Sequence, residues 1–160
     1  MSASPEKSRA LSAIGFAGLI VGILDITSAF VIAEIKGTGS IRMWQGIASG
    51  LLGQRSFGGG MATAGLGLAV HFLIAFTAAA VFYAASQKLS SLTQHAVVSG
   101  LLYGIAVYIF MYWIVVPLAF PTARHSMSRD VTAVIIHILL IGLPIALVVR
   151  HFSNEKLAES

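Results

Sequence analysis

Three ionisable side chains of kinds that exchange protons or bind metals stand inside long apolar stretches of this chain. Asp25 lies in the first stretch, and His71 and His137 lie in two later ones. A charged side chain at the centre of a bilayer costs about 3 kcal/mol or more, so a carboxylate there needs a partner, a proton or a function. Asp25 is therefore the strongest indication of a site.

A carboxylate beside two imidazoles suits several chemistries. In a low dielectric such groups can hold a proton, as in a proton or cation path. Asp25, His71 and His137 could instead bind a divalent metal, and the two histidines alone could ligate the iron of haem b. A hydrogen-bonded Asp–His group that only joins the helices is the remaining alternative. The sequence has no His-Glu-x-x-His motif, so the metal signal is weak.

The composition calls for lipid as the solvent. The chain has 160 residues, 57% of them hydrophobic and 10% charged, and its mean hydropathy is +0.88. Soluble domains carry about 25% charged residues. We therefore expect an integral membrane protein whose main partner is the bilayer. The net charge of +4 is spread in ones and twos, which argues against nucleic acid binding. The chain has no cysteine, which excludes disulfides and thiolate sites.

Four stretches approach the roughly 20 apolar residues that a spanning helix needs. They predict transmembrane helices at about 12–35, 63–86, 96–120 and 131–150. The predicted fold is all-α: a single four-helix transmembrane domain over 12–150, with tails at 1–11 and 151–160. The short polar link between the second and third helices predicts that these two form a tight antiparallel hairpin.

The long link after the first helix predicts one more helix, at about 40–56. Its apolar and polar residues alternate at helical spacing, with Trp44, Ile47, Ala48 and Leu51 against Arg42, Gln45 and Ser49. We expect this helix to lie in the membrane interface with its apolar face in lipid; a re-entrant segment is the alternative. Arg42 and Arg55 are candidates for contact with lipid phosphate or another anion.

Small residues form stripes along the predicted helices, and such stripes let helices approach closely in lipid. The candidates for helix packing are Gly18, Gly22, Gly67, Gly100 and Gly104. The first two share a face with Asp25, which turns the carboxylate toward another helix. A small-residue face left over would allow a homo-oligomer.

The polar residues of the four helices fall in one layer. With a rise of 1.5 Å per residue, Asp25, His71, His137 and Tyr112 lie about 15, 12, 9 and 9 Å from the same membrane surface. We therefore expect these residues to meet in the core of the bundle, with Tyr112 as a further proton- or ion-binding candidate.

Five short stretches together resemble a known family: Gly22-Ile-Leu-Asp-Ile26, Gln45-Gly-Ile-Ala-Ser-Gly-Leu-Leu-Gly53, His71-Phe-Leu-Ile-Ala-Phe76, Val115-Val-Pro-Leu118 and Gly142-Leu-Pro-Ile-Ala-Leu147. They are similar to the YagU-like family of small bacterial inner-membrane proteins, over roughly residues 12 to 150. The resemblance implies a multi-pass protein of the bacterial inner membrane and implies no activity.

The basic residues do not decide the orientation, because the ten of them divide equally. The side that holds the termini has Lys7, Arg9, Lys88, Arg150 and Lys156, and the other has Lys36, Arg42, Arg55, Arg124 and Arg129. Charges just ahead of the first helix often dominate, which favours cytoplasmic termini.

The sequence has no nucleophile beside a base, no phosphate loop and no large extramembrane domain, so we do not expect an enzyme and assign no catalytic residue. The best expectation is a small transport- or channel-type protein with an Asp/His proton or cation site. The alternatives are a haem- or metal-binding membrane protein that uses two histidines and a structural or accessory subunit.

Overall fold

The computed structural model describes residues 5–123 and 126–158, which contain helices and no β-strand. Arg124 and the outermost residues of both predicted tails lie outside the described residues. Four helices have the length and composition to cross a membrane: Lys7–Ile35, Gly60–Lys88, Ala96–Ala119 and Met127–Ser153. They are termed the first to fourth spans below. The predicted all-α fold with four long apolar helices is confirmed.

The helices in chain order are α1 Pro5–Ile35, α2 Ser40–Leu52, α3 Gly60–Lys88, α4 Ser91–Gln94, α5 Ala96–Phe110, α6 Val116–Ala119, α7 Met127–Ile136 and α8 Leu143–Ala158. A 3₁₀ helix, Gly53–Gly58, follows α2, and π turns at Met111–Val115 and His137–Gly142 interrupt the third and fourth spans. The first and last helices extend into the predicted tails, because nothing in the polar sequence beyond the apolar runs breaks them. At the start of α1, Pro5 is tolerated because a first-turn N–H needs no partner within the helix.

The spans pack in the order second, first, fourth, third. The second and third spans follow each other in the chain but do not pack closely, so the prediction of a tight hairpin is wrong. The link between them forms α4, which packs against α8 and so carries the chain across to the fourth span. Tyr103 bridges the gap that remains: its hydroxyl group donates to the Ala78 carbonyl at 2.7 Å.

Glycines allow the closest contacts between spans. A Cβ atom added at Gly100 would lie 2.8 Å from the Cα atom of Leu143, and one added at Gly142 would meet the backbone of Gly104. Gly18 and Gly22 instead face the rings of two phenylalanines on the second span, Phe76 and Phe72.

The half of the bundle near the termini is filled by apolar side chains. Residues of this half that are at most 1% exposed come from all four spans: Ala13, Ala17, Val21, Ala79, Phe82, Ala96, Ile145, Ala146 and Val149. The ring of Tyr103 lies edge-on to that of Phe82, with 5.0 Å between the ring centroids. This half is therefore a close-packed core.

Helix α2 packs against the second span rather than standing free. Gln45 is 5% exposed, and its Nε2 atom donates to the Gly60 carbonyl at 3.0 Å. The buried Ser56 hydroxyl group donates to the Gln45 carbonyl at 2.6 Å, and the Thr63 hydroxyl group donates to the Ser56 carbonyl at 2.6 Å. The sequence pattern placed Gln45 on the polar side of α2; the structure turns it inward because these partners satisfy it. Gly67 makes room for the contact, since it lies against the Trp44 carbonyl.

Candidate functional site

A cavity of about 440 Å³ lies between the four spans, in the half of the bundle away from the termini. Asp25, His71, Tyr112 and His137 all line it, one from each span. Ile47 of α2 lines it too. The structure thus brings the four candidates of the sequence to one space, which is termed the central cavity below.

His71 connects the first and second spans. Its Nε2 atom lies 2.9 Å from the Gly22 carbonyl oxygen, and its Nδ1 atom lies 3.9 Å from Oδ2 of Asp25. The side chain of His71 is 11% exposed and that of Asp25 is 29% exposed. Gly22 and Asp25 are three residues apart, so both lie on the same face of α1 and the ring spans them.

The contact with Gly22 fixes how protons are placed on His71. A carbonyl oxygen can only accept a hydrogen bond, so Nε2 must carry a proton. In the neutral ring Nδ1 then holds a lone pair, and this lone pair faces the carboxyl group of Asp25. Two acceptors in that position repel each other unless one proton lies between them, on either the ring or the carboxyl group. The pair can therefore hold one proton, on the ring nitrogen or on the carboxyl group.

His137 meets the cavity from the fourth span. Its Nδ1 atom donates to the Ala133 carbonyl at 2.8 Å, which leaves Nε2 as the second ring nitrogen. Two stacked tyrosines of the third span hold the ring edge-on: the centroid of Tyr108 lies 5.9 Å and that of Tyr112 lies 5.8 Å from the centroid of His137. The side chain of His137 is therefore positioned from both its own span and the neighbouring one.

Both π turns lie at the level of the central cavity, and neither was predicted from the sequence. Tyr112 lies in one turn and His137 begins the other. Each turn ends two residues before a proline, Pro117 or Pro144. Proline has no N–H group to offer the carbonyl four residues earlier, and its ring crowds that carbonyl, so the helix widens there. Pro117 and Pro144 could have indicated the two π turns in the sequence. The third span continues past Pro117 and ends at Ala119.

The arrangement does not favour the metal and haem interpretations. Within residues 5–123 and 126–158, no three His, Asp or Glu side chains are grouped so that they could hold a metal ion. Axial ligation of haem by His71 would need its Nδ1 atom, because Nε2 is bonded to Gly22, and Asp25 lies in front of Nδ1. These residues therefore fit a shared proton better than either a metal or haem.

Two arginines that the sequence marked for lipid or anion contact lie outside the central cavity. Arg42 and Arg55 are both exposed, and the guanidinium carbon of Arg42 lies 5.1 Å from the ring centroid of Phe57. Ser28 is a cavity residue that the sequence analysis did not single out. Its hydroxyl group donates to the backbone carbonyl of Asp25 at 2.8 Å. Ser28 lies three residues after Asp25, on the same helix face, and this spacing could have indicated it in the sequence.

A second cavity of about 480 Å³ opens at the ends of the first, third and fourth spans. Lys36, Ser128, Arg129 and Asp130 line its outer part, and Tyr112 and Ala133 lie in the wall that it shares with the central cavity. This outer cavity is termed the vestibule below.

The fold and the cavity define an all-α bundle of four long apolar helices around a cavity lined by acid and imidazole groups, an architecture compatible with a multi-pass membrane protein. Comparisons with protein-family models, with curated proteins and with solved structures find no match for the chain. The resemblance to the YagU-like family and the inner-membrane location that it implies therefore stay predictions.

Proposed function

We propose that this protein is a small transport-type membrane protein that binds one proton between Asp25 and His71 in its central cavity. The observation that carries the proposal is the double contact of the His71 ring: Nε2 at 2.9 Å from the Gly22 carbonyl and Nδ1 at 3.9 Å from Asp25. The first contact sets the proton on Nε2, so the second leaves two acceptors facing each other and room for one proton.

A proton suits this site better than a larger cation. Ca²⁺ takes six to eight oxygen ligands and Mg²⁺ takes an octahedral set. Among the described lining residues, oxygen-bearing side chains are few: Asp25, Ser28 and Tyr112. The hydroxyl group of Ser28 already donates to the Asp25 carbonyl at 2.8 Å. One carboxylate beside imidazole rings matches the needs of a proton.

His137 and Tyr112 support the same function from the other side of the cavity. With the His137 Nδ1 atom bonded to Ala133, Nε2 is a second nitrogen able to accept a proton. The titratable groups around the cavity thus come from all four spans: Asp25, His71, Tyr108, Tyr112 and His137. A proton bound at Asp25 and His71 has neighbours to which it can move.

The setting proposed for this site is the bacterial inner membrane, with cytoplasmic termini and lipid around the outer faces of the spans. Within it, we place α2 as a re-entrant segment rather than a helix on the surface. The support is that Ala48 is fully buried and that Ile47 lines the central cavity. Gly50 also lies close to Ala119 and Phe120, so α2 reaches the third span. Small-residue faces that remain on the outside would suit a homo-oligomer.

The test is proton flux in proteoliposomes that contain a pH-sensitive dye. An imposed potential should drive proton movement in the unchanged protein, and Asp25→Asn should abolish it, because the amide cannot take up the shared proton. Glu34→Gln is the matched control: it removes an exposed carboxylate from the same helix and should leave the flux unchanged. Equal flux with Asp25→Asn would overturn the proposal.

An absorption spectrum of the purified protein separates the haem alternative. The proposed function predicts no Soret band. A Soret band that disappears in His71→Gln would instead establish haem ligation and contradict the proton site.

A further inference from the structure

We infer that, in the resting conformation described above, the Asp25–His71 site exchanges protons with water on one side of the membrane only, through the vestibule and the hydroxyl group of Tyr112. Net flux under an imposed potential then requires a second conformation that opens the other side. This inference rests on the proposed proton-binding function. It adds the direction of access and names the residue that passes the proton.

The vestibule and the central cavity share one wall. The residues that line both are Ile32, Tyr112, Val116, Ala133 and Ile136. Among these described residues, Tyr112 alone has a side-chain group that can both donate and accept a hydrogen bond. Its phenol therefore stands between water at the membrane surface and the acid–imidazole pair.

The opposite half of the bundle blocks water. Below the central cavity, Val21, Phe82, Ile145 and Val149 are each at most 1% exposed. Apolar side chains packed in this way hold no polar group to which a water molecule could bind. The termini side of the membrane is thus separated from the site by the close-packed core.

The remaining side of the cavity faces lipid. A groove of about 490 Å³ between the second and third spans shares four residues with the central cavity: Ile74, Ala78, Val107 and Met111. Its two hydroxyl groups are bonded to backbone: Thr77 donates to the Leu73 carbonyl at 2.7 Å and Tyr103 donates to the Ala78 carbonyl at 2.7 Å. The groove therefore suits a hydrocarbon chain and gives protons no route.

Proton transfer through Tyr112 conserves both protons and charge. A hydronium ion in the vestibule gives a proton to the phenol oxygen, while the phenol passes its own proton to the Asp25–His71 pair. The phenol ends as it began and one proton has moved inward. Among the described residues, the charged groups at the mouth are Lys36, Arg129 and Asp130, and Arg129 is exposed. In the orientation proposed above, the mouth lies on the outer face of the membrane.

Single-cysteine labelling tests the access, because the natural chain has no cysteine. Ala133→Cys places a thiol in the wall shared by the vestibule and the central cavity, and Ala146→Cys places one in the sealed core of the same span. A charged, membrane-impermeant methanethiosulfonate is applied to right-side-out and to inside-out vesicles with no potential imposed, so that the resting conformation is the one labelled. We expect Ala133→Cys to be labelled from one side only and Ala146→Cys to be labelled from neither.

Labelling of Ala133→Cys from both sides would show a continuous pore, and labelling from neither would show a closed cavity; either result overturns the inference. If Ala133→Cys does not fold, Ala29→Cys tests the same cavity from the first span, with Ala17→Cys as its control in the sealed core. Labelling does not depend on proton binding, so its failure is distinguishable from failure of the proposed function.

Tyr112→Phe tests the relay. It should slow proton uptake about 10²-fold, at the low end of what a positioned proton-transfer group contributes. The number of protons bound at equilibrium should stay the same. An unchanged uptake rate would remove Tyr112 from the path.

Discussion

The imidazole ring of His71 contacts Gly22 and Asp25 of the first span at once, with Nε2 at 2.9 Å from the Gly22 carbonyl and Nδ1 at 3.9 Å from the Asp25 carboxyl group. The backbone contact orients the ring and the side-chain contact faces the carboxyl group. One residue thus performs two tasks, and substitution can separate them.

Substitution of His71 by glutamine should keep the hydrogen bond to the Gly22 carbonyl and remove the nitrogen that faces Asp25. The glutamine amide can still donate to the Gly22 carbonyl. The free energy of unfolding should therefore fall by less than about 1 kcal/mol, the scale of a single interhelical hydrogen bond in a membrane. Proton flux should be lost because no titrating nitrogen faces Asp25. Thermal unfolding in detergent and flux in proteoliposomes are measured on the same preparation. Full flux in a stable His71→Gln protein would show that the ring nitrogen is not needed.

The backbone contact between the third and fourth spans should not tolerate a methyl group. In Gly104→Ala the new Cβ atom would lie 2.5 Å from the carbonyl oxygen of His137 and 2.5 Å from the Cα atom of Ile138. Backbone cannot move aside as a side chain can, so we expect a loss of about 1–3 kcal/mol in unfolding free energy.

The control for that loss is Gly65→Ala, since a Cβ atom at Gly65 meets nothing within 4 Å. This variant should be as stable as the natural protein or slightly more so, because alanine is the better helix former by up to about 1 kcal/mol. Similar losses in both variants would mean that the third and fourth spans do not touch at Gly104.

The buried side chain of Gln45 should contribute to holding α2 in place. Gln45→Ala removes the hydrogen bond to the Gly60 carbonyl, which should cost about 0.5–1.5 kcal/mol. Gln54→Ala is the matched control, because Gln54 is exposed in the 3₁₀ helix that follows and should cost little. Chemical unfolding in mixed micelles compares the two. An equal effect of both substitutions would argue against the packing of α2 on the second span.

The sequence predicts the four spans well because hydrocarbon imposes a simple rule. A helix must satisfy its own backbone within the membrane, so a long apolar run can be read directly. Asp25, His71 and His137 could be placed at one level for the same reason, since helical rise converts residue number into depth. The packing order of the spans brings these residues to one cavity. That order cannot be inferred from residue spacing.

The features that the sequence did not predict depend on contacts between segments. The gap between the second and third spans arises because α4 packs on α8, and the burial of Gln45 arises because Gly60 and Thr63 receive its amide. The π turns differ, because they follow from the local effect of Pro117 and Pro144 on their own helices. For the gap and for Gln45, the residues are visible in the sequence but their partners lie elsewhere in the chain.

Solid-state NMR of ¹⁵N-labelled histidine and ¹³C-labelled aspartate in lipid bilayers measures the shared proton itself, with His71→Gln and Asp25→Asn to assign the signals. As the pH is lowered, His71 Nε2 should stay protonated throughout. The first proton that the pair takes up should change the His71 Nδ1 and Asp25 carboxyl signals together. Uptake of this first proton that changes one signal and leaves the other unchanged, or a neutral His71 beside an ionised Asp25 at every pH, would contradict a proton held between them.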